Sequence, residues 1–324
     1  MTTSTPPDAG VPTSPSGADA LASSSPSGTA AGVSALPGAG VPKSVGVIGG
    51  GRMGAGIAQV FAAAGASVTV VEADAAAARS TMDRLGAGLS RAAARGRLAE
   101  GPATVLAQIT LADEIAALPA DAELVVEAVP EEARLKVAVL AAAEKAVGEH
   151  AVLASNTSSL SIAGLAEGLR RPERFVGMHF FNPVPASDLV EIVIGPQTAG
   201  AVRDAARSWS AGLGKTAIVV RDSPGFATSR LGVLLGLEAI RMLEEGVADA
   251  ASIDRAMELG YRHPMGPLRS TDLVGLDVRL AIAEHLHAEL GDRFAPPRLL
   301  RDKVARGELG RKTGQGFHTW EEGR

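Results

Sequence analysis

The chain has 324 residues, 46% of them apolar, a formal net charge of -5 and no cysteine. That size supports one large core or two moderate ones, with two domains the better prior. The lack of cysteine excludes disulfides, thiolate metal sites and cysteine nucleophiles and fits a reducing cytoplasm, while mild acidity speaks against nucleic acid as the main partner.

Residues 1–42 are nearly all Ala, Ser, Pro, Gly and Thr, with no Lys or Arg. Such a stretch cannot offset its ordering entropy and is predicted to be a disordered tail. Ser44 to Ile48 is a short apolar run feeding the turn Gly49-Gly50-Gly51-Arg52-Met53-Gly54. Met53 to Ala64 then has the small-residue character of a closely packed helix, and Ser67 to Val71 reads as a second strand ending at Glu72. The stretch from Met53 to Val71 is uncharged but broken by Gly54, Gly56 and Gly65, so no membrane span is expected.

Strand, glycine turn, helix, strand and terminal acid together form the Rossmann fingerprint. Gly49 permits the tight turn, Gly51 lets the backbone approach a pyrophosphate, and Gly54 lets the helix sit close to the strand. Arg52 and Met53 open the helix whose free N–H groups face the phosphates. Glu72 is placed to accept hydrogen bonds from ribose hydroxyls and to repel a 2′-phosphate, which favours NAD over NADP. Arg79, a few residues on, works against that preference.

Residues 75–100 are longer than a crossover helix needs and carry five arginines, and are predicted to form a projecting helical pair. Apolar runs at Glu123–Ala128, Ala151–Ala154 and Ala217–Val220 alternate with helical stretches at Glu131–Val147 and Ala199–Leu213. The fold class is therefore α/β, with an N-terminal Rossmann-type doubly wound sheet. After Asp222 the pattern is helical over 226–245, 252–260, 273–290 and 297–307. The predicted domains are residues 43–222, with the insertion, and a helical C-terminal domain over 223–324.

His179 and Glu191 are equidistant from Pro185, in a turn between the apolar runs Phe175–Phe181 and Leu189–Ile194. A hairpin would make them cross-strand neighbours. A carboxylate on one imidazole nitrogen fixes the tautomer and leaves the other nitrogen free to exchange a proton. A structural histidine with a surface glutamate is the alternative. The loop Ser155–Ser159 follows a strand, where doubly wound sheets place their ligands. No His pair has metal-ligand spacing, His285 and His287 included.

Six segments resemble the L-3-hydroxyacyl-CoA dehydrogenases, most nearly the bacterial 3-hydroxybutyryl-CoA dehydrogenases. They are Gly49–Ala58 (GGGRMGAGIA), Ser155–Leu160 (SNTSSL), His179–Pro185 (HFFNPVP), Asp222–Phe226 (DSPGF), His263–Pro267 (HPMGP) and Gly310–Phe317 (GRKTGQGF). The resemblance implies an NAD-dependent oxidoreductase of fatty acid or butanoate metabolism that interconverts (S)-3-hydroxyacyl-CoA and 3-ketoacyl-CoA. It implies His179 as general base and acid, oriented by Glu191, with Ser158 and Asn182 contacting substrate and nicotinamide. Glu131, Lys136 and Lys312 match NAD contacts, though ordinary solvated charges explain them without the resemblance. Ser229 stands where relatives often carry a substrate-contacting asparagine, and being shorter it puts chain-length preference and rate in question.

The family places CoA on the helical insertion, which singles out Arg91 and Arg95, whose planar forks suit phosphate. A solvated helix face accounts for the same arginines. The resemblance also implies a homodimer through the C-terminal domain. The rival readings are a dehydrogenase of a small free hydroxy acid and a noncatalytic NAD-binding relative.

Overall fold

The computed structural model describes residues 40–321. The predicted tail lies, up to residue 39, outside the described residues. β1 (Ser44–Ile48) runs through the glycine turn into α1 (Arg52–Ala63), and β2 (Ser67–Val71) returns parallel to β1. α2 (Ala75–Ala94), α3 (Pro102–Leu106) and β3 (Ile109–Ala112) follow on one side. On the other side come β4 (Leu124–Glu127), α4 (Ala133–Ala146), β5 (Val152–Ser155), α5 (Ile162–Ala166), β6 (Phe175–Phe180), β7 (Leu189–Ile194), α6 (Gly200–Gly212) and β8 (Thr216–Arg221). The eight strands form one sheet in the order β3-β2-β1-β4-β5-β6-β7-β8. All neighbours pair parallel except β6 and β7.

Successive strand residues alternate between two buried layers, which is why the strands read as continuous apolar runs. Val45, Val47, Leu124, Val126 and Val152 pack with Ile57, Leu85 and Trp209 under α1, α2 and α6. Ile48, Val125 and Leu153 pack on the opposite face with Leu140 of α4 and Ile162 of α5. Each such fully buried large side chain contributes about 1.5–3 kcal/mol.

Several elements differ from those predicted. The insertion is a single helix, α2, rather than a pair within 75–100: Gly96, at φ +63°, stops the chain, and the next helix waits for Pro102 at its first position. The helix expected from Phe226 starts at Thr228, because Gly225 and Phe226 both take positive φ. β3 was not predicted; it has four residues, one of them the polar Thr110.

The helical part consists of α7 (Thr228–Glu244), α8 (Ala250–Gly260), α9 (Pro267–Val274), α10 (Leu276–Leu290) and α11 (Arg298–Ala305). The helix predicted from residue 273 is divided at Gly275, whose φ of +104° no helix accommodates. These helices have their own core, including Val233, Leu237, Leu268, Leu286 and Phe294. Two buried carboxylates fasten the last segment to it: Asp272 accepts from Phe317, His318 and the Trp320 indole, and Asp254 faces His318 Nε2 at 2.8 Å.

Candidate active site

The turn between β1 and α1 is shaped by side chains that are not there. Gly49 sits at φ +90° and donates to the Val71 carbonyl at 2.9 Å. A Cβ on Gly54 would collide with the Gly49 carbonyl oxygen, whereas a Cβ on Gly51 would meet nothing within 4 Å. The first turn of α1 has no side-chain cap, and Arg52 at its start is exposed. Open N–H groups at the positive end of a helix, beside open space, fit a pyrophosphate. Glu72 closes the turn: its Oε1 accepts the Gly50 N–H at 2.8 Å and the hydroxyl of buried Thr81 at 2.5 Å. Its Oε2 has no partner among the described residues.

The C-terminal ends of β4 and β5 carry a buried polar network. Glu127, fully buried, accepts from Lys136 Nζ at 2.7 Å and from the Ser155 hydroxyl at 2.6 Å. Lys136, only 1% exposed, also meets Glu131 at 3.2 Å. Glu131 in turn accepts from the Thr157 hydroxyl and from the backbone N–H groups of Ser158 and Ser159. Burial works to raise the Glu131 carboxyl, but Lys136, Thr157 and Ser158 outweigh it and hold the group below the usual carboxylate range. Lys136 is therefore not a solvated charge, and Glu131, though exposed, braces the serine loop through these bonds. Asn156 ties that loop to the next strand by accepting the Phe180 N–H at 2.9 Å.

His179 and Glu191 stand opposite one another across the antiparallel β6–β7 pair, as the hairpin reading expects. His179 Nδ1 lies 2.7 Å from Glu191 Oε2. Glu191 is fully buried and His179 is 7% exposed, flanked by the rings of Phe181 at 4.3 Å and Phe226 at 6.0 Å. Glu191 also accepts the N–H groups of Ala227 and Thr228, and the Thr228 hydroxyl at 2.7 Å. The carboxylate thus sits on the N-terminus of α7, where helix polarity favours an anion. Its burial works to raise the carboxyl, but hydrogen bonds from His179 and Thr228 prevail and hold it below its ordinary value.

A cleft of about 1000 Å³ opens between α1, α2 and the β6–β7 loop. Asn182 and Pro183 line one side and Arg84, Arg91, Arg95 and Arg97 the other. Arg91 and Arg95 are exposed and form no ion pair among the described residues. Asp83 is the cleft's single acid against six basic side chains, Arg52 and Lys215 included. The structure brings Ser158 to the Glu131 network, while Ser229 lies half-buried in the first turn of α7 with its hydroxyl unpartnered among the described residues. Lys312 pairs with Asp277 in the helical part, both carboxylate oxygens lying 2.6 Å from its Nζ. Sequence reasoning missed Thr228, Glu127 and Asn156. Among the described residues no group of three or more His, Asp or Glu is placed to hold a metal ion, and no helix is long and apolar enough to cross a membrane.

A mostly parallel sheet with a glycine-shaped anion cradle after β1, a buried His–Glu pair on β6 and β7 and a helical second part define a two-domain, dinucleotide-binding oxidoreductase. The family description "3-hydroxyacyl-CoA dehydrogenase, NAD binding domain" matches residues 44–223, and "3-hydroxyacyl-CoA dehydrogenase, C-terminal domain" matches residues 225–320. The chain belongs to the 3-hydroxyacyl-CoA dehydrogenase family. It is 41% identical over 280 residues to a probable 3-hydroxybutyryl-CoA dehydrogenase of Deinococcus radiodurans, covering 85% of this chain and 99% of that protein. It is 38% identical over 289 residues to the mitochondrial hydroxyacyl-coenzyme A dehydrogenase of Sus scrofa, covering 86% and 91%. The crystal structure of (S)-3-hydroxybutyryl-CoA dehydrogenase PaaH1 from Ralstonia eutropha superposes with a TM-score of 0.83 at 41% identity, covering 87% of this chain and all of that one.

Proposed function

We propose that the chain interconverts short-chain (S)-3-hydroxyacyl-CoA and 3-ketoacyl-CoA with NAD. The observation that carries this reading is the buried His179–Glu191 pair, 2.7 Å apart, with Asn182 on the same segment lining an arginine-rich cleft. Residues 43–222 form the cofactor domain in this reading and 223–324 the substrate and dimerisation domain.

Bound NAD supplies the acceptor for the hydride on substrate C3. With Nδ1 engaged by Glu191, His179 presents Nε2 to the 3-hydroxyl and takes its proton as the carbonyl forms. In the reductive direction the imidazolium returns that proton to the ketone oxygen. Glu191, kept ionised by Thr228 and the N–H groups of α7, stabilises the imidazolium and fixes its tautomer. Phe181 and Phe226 screen the imidazole from water. Ser158 and Asn182 position the reacting ends of substrate and nicotinamide, with the Glu131–Lys136 pair holding the serine loop in place.

Arg91 and Arg95 are the proposed partners of the CoA phosphates, and the unpartnered Oε2 of Glu72 is the proposed acceptor for the adenosine ribose. The helical part leaves Leu231, Leu259 and Tyr261 exposed, Tyr261 at 75%, which supports a homodimer through this region. A cysteine-free chain also suits the cytoplasm.

The reading is tested by following NADH consumption with acetoacetyl-CoA, free acetoacetate and longer 3-ketoacyl-CoAs, and by replacing NADH with NADPH. Turnover of the CoA thioester, with little for the free acid or with NADPH, is expected. Preference for the free acid would move the chain to another substrate class, and inertness toward all of them would make it a binding protein.

A further inference from the structure

α1 turns one face toward the cleft, and Arg52, Ala55, Gly56, Gln59, Val60 and Ala63 lie on it. Gly56 meets the β6–β7 loop, where an added Cβ would come 2.9 Å from the Val184 Cβ. Gln59, about one turn further along, meets α2 instead: a Cβ on Gly88 would collide with its amide oxygen. Gln59 therefore lies between the wall that carries Asn182 and the wall that carries Arg91 and Arg95.

It is also the uncharged polar side chain on a floor otherwise made of small apolar residues beyond Arg52. Gln59 is 4% exposed, yet its amide makes no hydrogen bond with any described residue. A primary amide offers two donors and an acceptor, and the described residues supply a partner to neither end of this one. Gln59 lines the cleft with its amide oxygen against Gly88, so the cleft's occupant is what can satisfy the amide.

We propose that Gln59 is a specificity-determining residue whose amide pairs with an amide of the pantetheine arm of an acyl-CoA, with Gly88 keeping the space it needs. This rests on reading the cleft as an acyl-CoA site. With the reacting acyl group at Asn182 and the phosphates at the arginines, the stretch between is the pantetheine arm. That arm carries secondary amides, each with one donor and one acceptor, and the Gln59 amide answers both at once.

The test compares kcat/KM for acetoacetyl-CoA, acetoacetyl-pantetheine and S-ethyl acetothioacetate, which share the reacting ketone while the last lacks any amide. Gln59→Leu is expected to lower kcat/KM about tenfold for the first two through KM, equivalent to about 1.4 kcal/mol, and to leave the ethyl thioester unchanged. Gly88→Ala, by displacing the amide, is expected to give the same selective loss. NADH affinity and melting temperature should stay at wild-type values in both variants. Equal losses on all three substrates, or no loss on any, would overturn the assignment. A wild-type protein inert toward all three would instead overturn the acyl-CoA reading and the subsite with it.

Discussion

The Glu191 carboxylate joins the sheet to the helical part through Thr228. It accepts the threonine hydroxyl at 2.7 Å on the oxygen that also faces His179, and the threonine N–H at 2.9 Å on the other. One residue at the start of α7 thus orients the group that orients the imidazole. Thr228→Val keeps the shape and removes the hydroxyl. It should destabilise the protein by about 1 kcal/mol, measured by urea unfolding, and lower kcat more than it raises KM. Unchanged kcat would show that the hydroxyl serves folding alone.

The same carboxylate makes a pH-dependent contribution to stability. Although burial opposes it, hydrogen bonding from His179 and Thr228 holds the folded carboxyl below its unfolded value. A group depressed in this way stabilises the fold fully above the unfolded pKa and loses that contribution as pH falls through the folded one. The difference in unfolding free energy between wild type and Glu191→Gln should therefore be largest near neutrality and shrink below about pH 4. A difference that does not vary with pH would contradict the assignment.

Lys136 is the buried cation of the Glu127 network. Removing it alone leaves the Glu127 charge without its ion-pair partner, so Lys136→Met should cost about 3–5 kcal/mol in urea unfolding. The double variant Glu127→Gln with Lys136→Met should recover part of that loss. A single-variant cost no larger than that of a surface substitution would show that the pair contributes little.

Arg279 on α10 is the opposite case. It is buried, among the described residues it has no carboxylate partner and its Nε lacks any hydrogen-bond acceptor, and burial lowers its pKa to about 10. Arg279→Met should raise stability by about 1 kcal/mol or more, since a similar apolar volume replaces an uncompensated cation. Thermal unfolding measures this, and a lowered melting temperature would mean that the guanidinium is satisfied in the working protein.

The parts of this molecule legible in its sequence are those written in local pattern. β1, the glycine turn and β2 are contiguous, and the His179–Glu191 pair follows from equal spacing about a turn. Thr228 was not legible, because its partner lies 37 residues away and no periodicity links them. Lys136 resembles any helical lysine until the fold brings Glu127 beneath it. β3 escaped because four residues on a sheet edge carry too little alternation to register. Gln59 sits within a motif read for its glycines, and its unpartnered amide emerges only once α2 covers it.

The most direct test of the account is His179→Ala, followed by NADH consumption with acetoacetyl-CoA alongside NADH affinity. Loss of the proton-transfer group should lower kcat by about 10²–10⁴-fold with NADH binding intact. Turnover within about tenfold of wild type, a barrier change of under about 1.4 kcal/mol, would show that His179 is not the base and that the pair with Glu191 is structural.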